Sequence, residues 1–135
     1  MSDVDRAIIA EFRSHGGRVG GPFEGTPVLL LSTTGAKSGE LRTTPVLYLR
    51  DGERWVIFAS KAGSPENPSW YHNLVATPTA EIEVGTEKFA VEATATSGEE
   101  RDRLFAEQAS RQPQFDEYAE RTSRLIPVIA LTRTD

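Results

Sequence analysis

Lys37-Ser38-Gly39, followed by Arg42, sets two cations and a flexible loop between two apolar runs, VLLLS and TTPVLYL. Successive backbone N–H groups in such a loop can form a concave nest for an anion, and the cations add charge to it. A second group, Ala59-Ser60-Lys61-Ala62-Gly63, ends another apolar run in a basic turn of small residues. A third, Asn67-Pro68-Ser69-Trp70-Tyr71-His72-Asn73, opens a helix whose free N–H groups and dipole favour negative charge. Trp70 and Tyr71 add flat area suited to a planar ligand, while Ser60, Thr43, Thr44 and Tyr48 offer hydroxyls. Together these groups point to a phosphate or polycarboxylate site. On pattern alone, solvated turns fit the basic groups equally well, and core or lid packing fits the two aromatics better.

Other chemistries fail on spacing. A phosphate-binding P-loop needs a glycine directly before the lysine and another five places earlier, where Ala36 and Leu31 stand. A strand also follows here, not a helix. The Gly-x-Ser-x-Gly elbow is missed because Ser38 comes one place late. His15 and His72 are the only histidines and lie in no metal-ligand spacing, so no metal is expected. With no cysteine there is no disulfide, thiolate zinc site or thiol nucleophile.

The net charge is −5, unevenly spread. Residues 27–80 hold five cations (Lys37, Arg42, Arg50, Arg54, Lys61) against four anions (Glu40, Asp51, Glu53, Glu66). The rest holds ten cations against sixteen anions. An acidic body repels nucleic acid and anionic lipid, and the basic middle suits a small anionic ligand. The charged N-terminal run MSDVDRAIIAEFR fits neither a signal peptide nor a spanning helix. A cytoplasmic protein without stable membrane association is expected; a peripheral membrane contact and pairing of two copies stay open.

These groups need elements to position them. At 135 residues the chain is expected to form one domain, 1–135, with an N-terminal helix and loop over 1–25 and the remainder over 26–133. Ser2 and Asp5 suggest a capping box, and Val4, Ile8 and Phe12 an apolar stripe, for a first helix from about Asp3 to His15. Strands are predicted over Val28–Thr33, Thr43–Arg50 and Arg54–Ser60, the last two joined at Asp51-Gly52. Asn67 should cap the helix that Thr77-Pro78 stops. A hairpin over Ala80–Val84 and Lys88–Ala95 follows. Ser97-Gly98-Glu99-Glu100 reads as a capping box for a helix to about Arg111, then come a segment Phe115–Ser123 and a closing strand Pro127–Thr132. Six strands joined mostly by short connections imply a mainly β (α+β), mostly antiparallel small barrel with peripheral helices.

LLLSTTGAKSGELRTTPVLYLRDGERWVIFASKAG, then NPSWYHNLVATP and the late RLIPVIALT, resembles the deazaflavin-dependent nitroreductase family over roughly residues 26–133. These are coenzyme F420-dependent reductases related to the split-barrel flavin reductases and pyridoxine-phosphate oxidases. The resemblance implies a split β-barrel that binds reduced 8-hydroxy-5-deazaflavin and passes a hydride to a quinone, enone or nitroaromatic. It places the cofactor's acidic tail over Ala36, Lys37, Ser38, Gly39, Glu40, Leu41 and Arg42. Phe58, Ala59, Ser60 and Lys61 would line the ring and phosphate, and Ser69, Trp70, Tyr71, His72 and Asn73 the other side. Tyr48, Ser60, Phe115 and Tyr118 are candidates for the acceptor pocket, with no catalytic acid assigned. One departure is that RQPQFDEYAERT offers Tyr118 alone, where members active on bulky nitro compounds tend to carry several tyrosines. Two alternatives stand beside this reading: a deazaflavin carrier without turnover, and an FMN-using reductase on the same cations, with FMN the second choice.

Overall fold

The computed structural model describes residues 3–20 and 24–134. The predicted cap at Ser2 and the side chain of Val4 lie outside the described residues. Helix α1 spans Asp3–Ser14, followed by strands β1 Val28–Thr34, β2 Leu41–Asp51 and β3 Arg54–Phe58. A one-turn 3-10 segment at Lys61–Gly63 leads to α2, Ser69–Ala76. Then come β4 Thr79–Val84, β5 Glu87–Ala95, α3 Gly98–Arg111, α4 Gln114–Arg121 and β6 Val128–Arg133. The strands close a barrel in the order β1-β2-β3-β6-β5-β4, every neighbouring pair antiparallel. Closure removes the exposed edges that an open sheet would present to other chains.

Side-chain alternation divides the core. Leu29 and Leu31 of β1, Trp55 and Ile57 of β3, and Ile129 and Leu131 of β6 point into the barrel with Ile82, Phe89 and Val91. The intervening residues face outward under the helices. Val28 and Leu30 pack with Ile9 and Phe12 of α1, while Val56, Phe58 and Val128 pack with Leu104, Phe105 and Phe115 of α3 and α4. Both faces of β1 and β3 are therefore covered, which is why their sequences run continuously apolar. On β4 and β5 the outward positions carry Glu81, Glu83, Lys88 and Glu92, and the runs alternate. Each fully buried leucine or isoleucine contributes about 1.5–3 kcal/mol.

Two predicted caps are absent. Pro68, not Asn67, precedes the first residue of α2, and no side chain caps it; Asn67 Oδ1 instead accepts a hydrogen bond from Arg124. Ser97 does precede α3 but makes no side-chain cap bond, and Glu100 pairs with Arg54 at 3.2 Å. Long-range arginine contacts outcompete these local bonds, because a charged donor gives the stronger hydrogen bond.

The β2–β3 turn carries an ionic cluster, Asp51 accepting from Arg54 and from Arg103 of α3. The Arg54 hydrogen bond above all holds the Asp51 carboxyl below the usual carboxylate range. A carboxylate with a lowered folded pKa adds stability above its unfolded pKa and loses it as pH falls through the folded value. Asp51→Asn should therefore cost up to about 1 kcal/mol near neutral pH. The gap between the two melting curves should close in acid, below the ordinary Asp range of about 4. Thermal unfolding from pH 7 downward checks this; a gap independent of pH would refute it.

Candidate cofactor site

The ends of β1 and β3 and the start of β2 meet at one end of the barrel, as their antiparallel pairing requires. Trp70 and Leu74 of α2 join the interior cluster there, so α2 caps that end. Between α2, the β1–β2 loop and the first turn of α1 lies a cavity of about 590 Å³. Its walls are Asp5, Thr33, Gly35, Ala36, Lys37, Ser38, Arg42, Thr43, Thr44, Ser69, Trp70, His72 and Asn73.

The β1–β2 loop is folded on itself. Gly35 N–H donates to the Glu40 carbonyl at 2.7 Å, Gly39 N–H to the Gly35 carbonyl at 2.9 Å, and Glu40 N–H to Ser38 Oγ at 3.2 Å. A Cβ on Gly35 would stand 2.6 Å from that Ser38 oxygen and 3.2 Å from the Glu40 carbonyl, so a larger residue would turn the Ser38 hydroxyl away from Glu40 N–H. Asn73 anchors the loop from α2, its Oδ1 accepting from Ala36 N–H at 2.9 Å and its Nδ2 donating to Thr33 Oγ1 at 3.0 Å. Among the described contacts, the N–H groups of Lys37 and Ser38 are left unengaged at the cavity wall. Lys37 has no ion pair among those described, and Arg42 shares only a 3.5 Å contact with exposed Glu40. Asp5 of α1 lines the same cavity.

Of the residues expected at a cofactor, Ala36, Lys37, Ser38, Arg42, Ser69, Trp70, His72 and Asn73 meet in this cavity. Gly39, Glu40 and Leu41, the last being the first residue of β2, are exposed and outside the lining, and Tyr71 and Tyr48 each pack against the inner core. The second group stands apart from the cavity. Phe58 belongs to the outer core, Ala59 to the inner one, Ser60 is buried, and Lys61 pairs with Glu66 at 3.8 Å. Phe115 is buried in the outer core, in contact with the Tyr118 ring at 5.2 Å. Asp5, Thr33 and Gly35 were not singled out as site residues. Thr33 and Asn73 lie forty residues apart, so no local pattern links them.

The sequence model of the F420H2-dependent quinone reductase family matches residues 4–133. The chain belongs to that family. It is an F420H2-dependent oxidoreductase. An F420H2-dependent quinone reductase of Mycobacterium tuberculosis is 44% identical over 128 residues, covering 92% of this chain and 86% of the relative. A solved F420H2-dependent reductase, FDR-A, superposes with a TM-score of 0.72 at 37% identity, over 78% of this chain and 93% of its own. A structure described as a domain-swapped dimer gives a TM-score of 0.74 at 34% identity, over 93% of this chain and 92% of that one. The closed antiparallel barrel with peripheral helices is thus the split barrel of this family of reductases.

The donor set fits the cofactor. An acidic tail needs cations and unengaged N–H groups, which Lys37, Arg42 and the loop offer; a planar ring needs flat apolar area, which Trp70 offers.

Proposed function

We propose that this protein binds reduced coenzyme F420 in the cavity between the β1–β2 loop and α2 and reduces a quinone there. The carrying observation is one cavity lined by Lys37 and Arg42, by a loop with unengaged N–H groups, and by Trp70 and His72. When bound, the reduced deazaflavin supplies a hydride to the acceptor. The protein's share is binding and orientation. Lys37 and Arg42 hold the acidic tail, Asn73 and Thr33 keep the loop in register with α2, and Trp70 limits the water reaching the ring. No tyrosine lines the cavity, so hydrogen bonds to the acceptor fall to the hydroxyls of Thr43, Thr44 and Ser69. Phe58–Lys61, outside the cavity lining, would act on the cofactor only through the β3–α2 connection they begin. Two copies pairing in solution is the expectation carried by the domain-swapped relative.

Mixing the purified protein with reduced F420 and a panel of quinones, enones and nitroaromatics tests the activity. Quinone-dependent reoxidation well above background is expected; tight binding without turnover would favour a carrier instead.

Lys37→Ala should weaken F420 binding by about 1.5–3 kcal/mol, roughly tenfold to a hundredfold in Kd, with the fold intact. Arg42→Ala should cost less, because its charge is already shared with Glu40. Trp70 lines the cavity while Trp55 is enclosed in the barrel against Phe89, so quenching of Trp70 fluorescence reports the titration. Unchanged affinity in both variants would return the loop to a solvated turn.

A further inference from the structure

Arg124, on the connection between α4 and β6, lines no part of the cavity, yet its guanidinium makes four hydrogen bonds to the segment joining β3 to α2. Nε donates to the Ser64 carbonyl at 3.0 Å and Nη2 to the Ser60 carbonyl at 2.8 Å. Nη1 donates to the Ala59 carbonyl at 3.1 Å and to Asn67 Oδ1 at 2.7 Å. All four acceptors are neutral, and no carboxylate pairs with Arg124 among the described ion pairs. These bonds commit four of the five guanidinium N–H groups to one short stretch of chain. Burial lowers the Arg124 pKa from its ordinary value, in keeping with a cation that has no counter-ion.

The stretch it holds is strained. Lys61 and Ala62 stand at φ 45° and 53°, in the left-handed region that costs a side-chain-bearing residue about 1–2 kcal/mol. Such a conformation persists only where the surroundings over-determine it. The carboxyl end of the stretch, Asn67-Pro68, runs directly into α2, whose Ser69, Trp70, His72 and Asn73 form one wall of the cavity. The other end, Ala59-Ser60, directly follows β3.

We propose that Arg124 is a positioning residue for the cofactor site, bracketing the β3–α2 segment so that α2 starts at a fixed place above the β1–β2 loop. This rests on the reading of the cavity as the F420 site. The planar fork is what the task requires: a lysine ammonium carries three donors at a point and cannot span four acceptors spread over residues 59–67.

Arg124→Lys and Arg124→Met in the full chain test the proposal by three readouts: amide hydrogen exchange without ligand, melting temperature, and F420 affinity. In both variants, exchange over residues 61–67 and the first turn of α2 should quicken by at least about tenfold, given the usual worth of a charge-assisted bond. Exchange in β1, β4 and β5 should stay as in the wild type. The Kd for F420 should rise by about tenfold or more in protein that remains folded. Unchanged exchange over 61–67 in Arg124→Met would overturn the bracket. Quickened exchange with unchanged Kd would overturn its role at the site, as would a uniform loss of protection across the barrel. If the wild type binds no F420, the reading of the cavity fails and takes the positioning role with it, while the exchange data still decide whether Arg124 holds the segment.

Discussion

Asn73→Leu should lower the stability of the protein by about 1–3 kcal/mol and weaken its hold on anionic ligands. The leucine fills a similar volume but neither donates nor accepts. Thr33, almost wholly buried, then loses the 3.0 Å bond to its hydroxyl, and the Ala36 N–H loses its 2.9 Å acceptor. The buried Thr33 hydroxyl left without a partner costs about 1–3 kcal/mol, whereas the N–H of exposed Ala36 regains water at little cost. The loop carrying Lys37 and Ser38 is freed from α2 at the same time, so the two walls of the cavity lose their common register. Asn73→Asp separates the effects. The carboxylate still accepts from Ala36 N–H, and the Thr33 hydroxyl can turn to donate. Most of the stability should survive, while a negative charge in the wall lowers F420 affinity by electrostatics alone. Urea unfolding together with Trp70 quenching measures both quantities. An Asn73→Leu variant as stable as the wild type would show that this staple contributes nothing.

Gly63→Ala should cost about 2–4 kcal/mol, from left-handed backbone strain together with overpacking. Gly63 sits at φ 79° with α4 pressed against it, and an added Cβ would meet the Tyr118 carbonyl and the Arg121 Cβ, each at 2.8 Å. Neither obstacle is a flexible side-chain tip. To make room, α4 must move off the turn, which disturbs Phe115 and its contacts with Phe58 and Phe105 in the outer core. The turn itself is held by Ser60, whose carbonyl accepts from Gly63 N–H at 2.9 Å. The melting temperature should fall by several degrees, and exchange in α4 should quicken beyond that in β1 and β2. A Gly63→Ala variant that melts with the wild type would mean that α4 yields freely at this contact.

Much of this architecture was legible in the chain because it is written in local terms. VLLLS and RWVIF announce strands covered on both faces, Glu81-Ile82-Glu83-Val84 a strand covered on one, and Asp51-Gly52 and Gly85-Thr86 the hairpin turns. The three motifs were legible for the same reason, since glycine, lysine and a helix start each signal within a few residues, but only the β1–β2 loop and the start of α2 line the cavity. The predicted caps at Asn67 and Ser97 failed because a capping pattern states only what a side chain could bond to nearby. In the folded chain Arg124 reaches Asn67 across fifty-seven residues, and Arg54 reaches Glu100 across forty-six.

What the sequence by itself determined are the ingredients of an anion site, cations, small residues and aromatics near strand ends; that they suit a deazaflavin is what their resemblance to a reductase family implies. Only the tertiary structure decided which of them share a cavity. Closing the barrel gathers Lys37, Arg42, Trp70 and Asn73 around one cavity, while the ASKAG segment lies outside its lining, held by Arg124 and packed on α4. The physical reason is range. Backbone propensity and alternation act over a few residues, whereas the hydrogen bonds that set this geometry, Asn73 to Thr33 and Arg124 to Ser60, join groups forty and sixty-four residues apart.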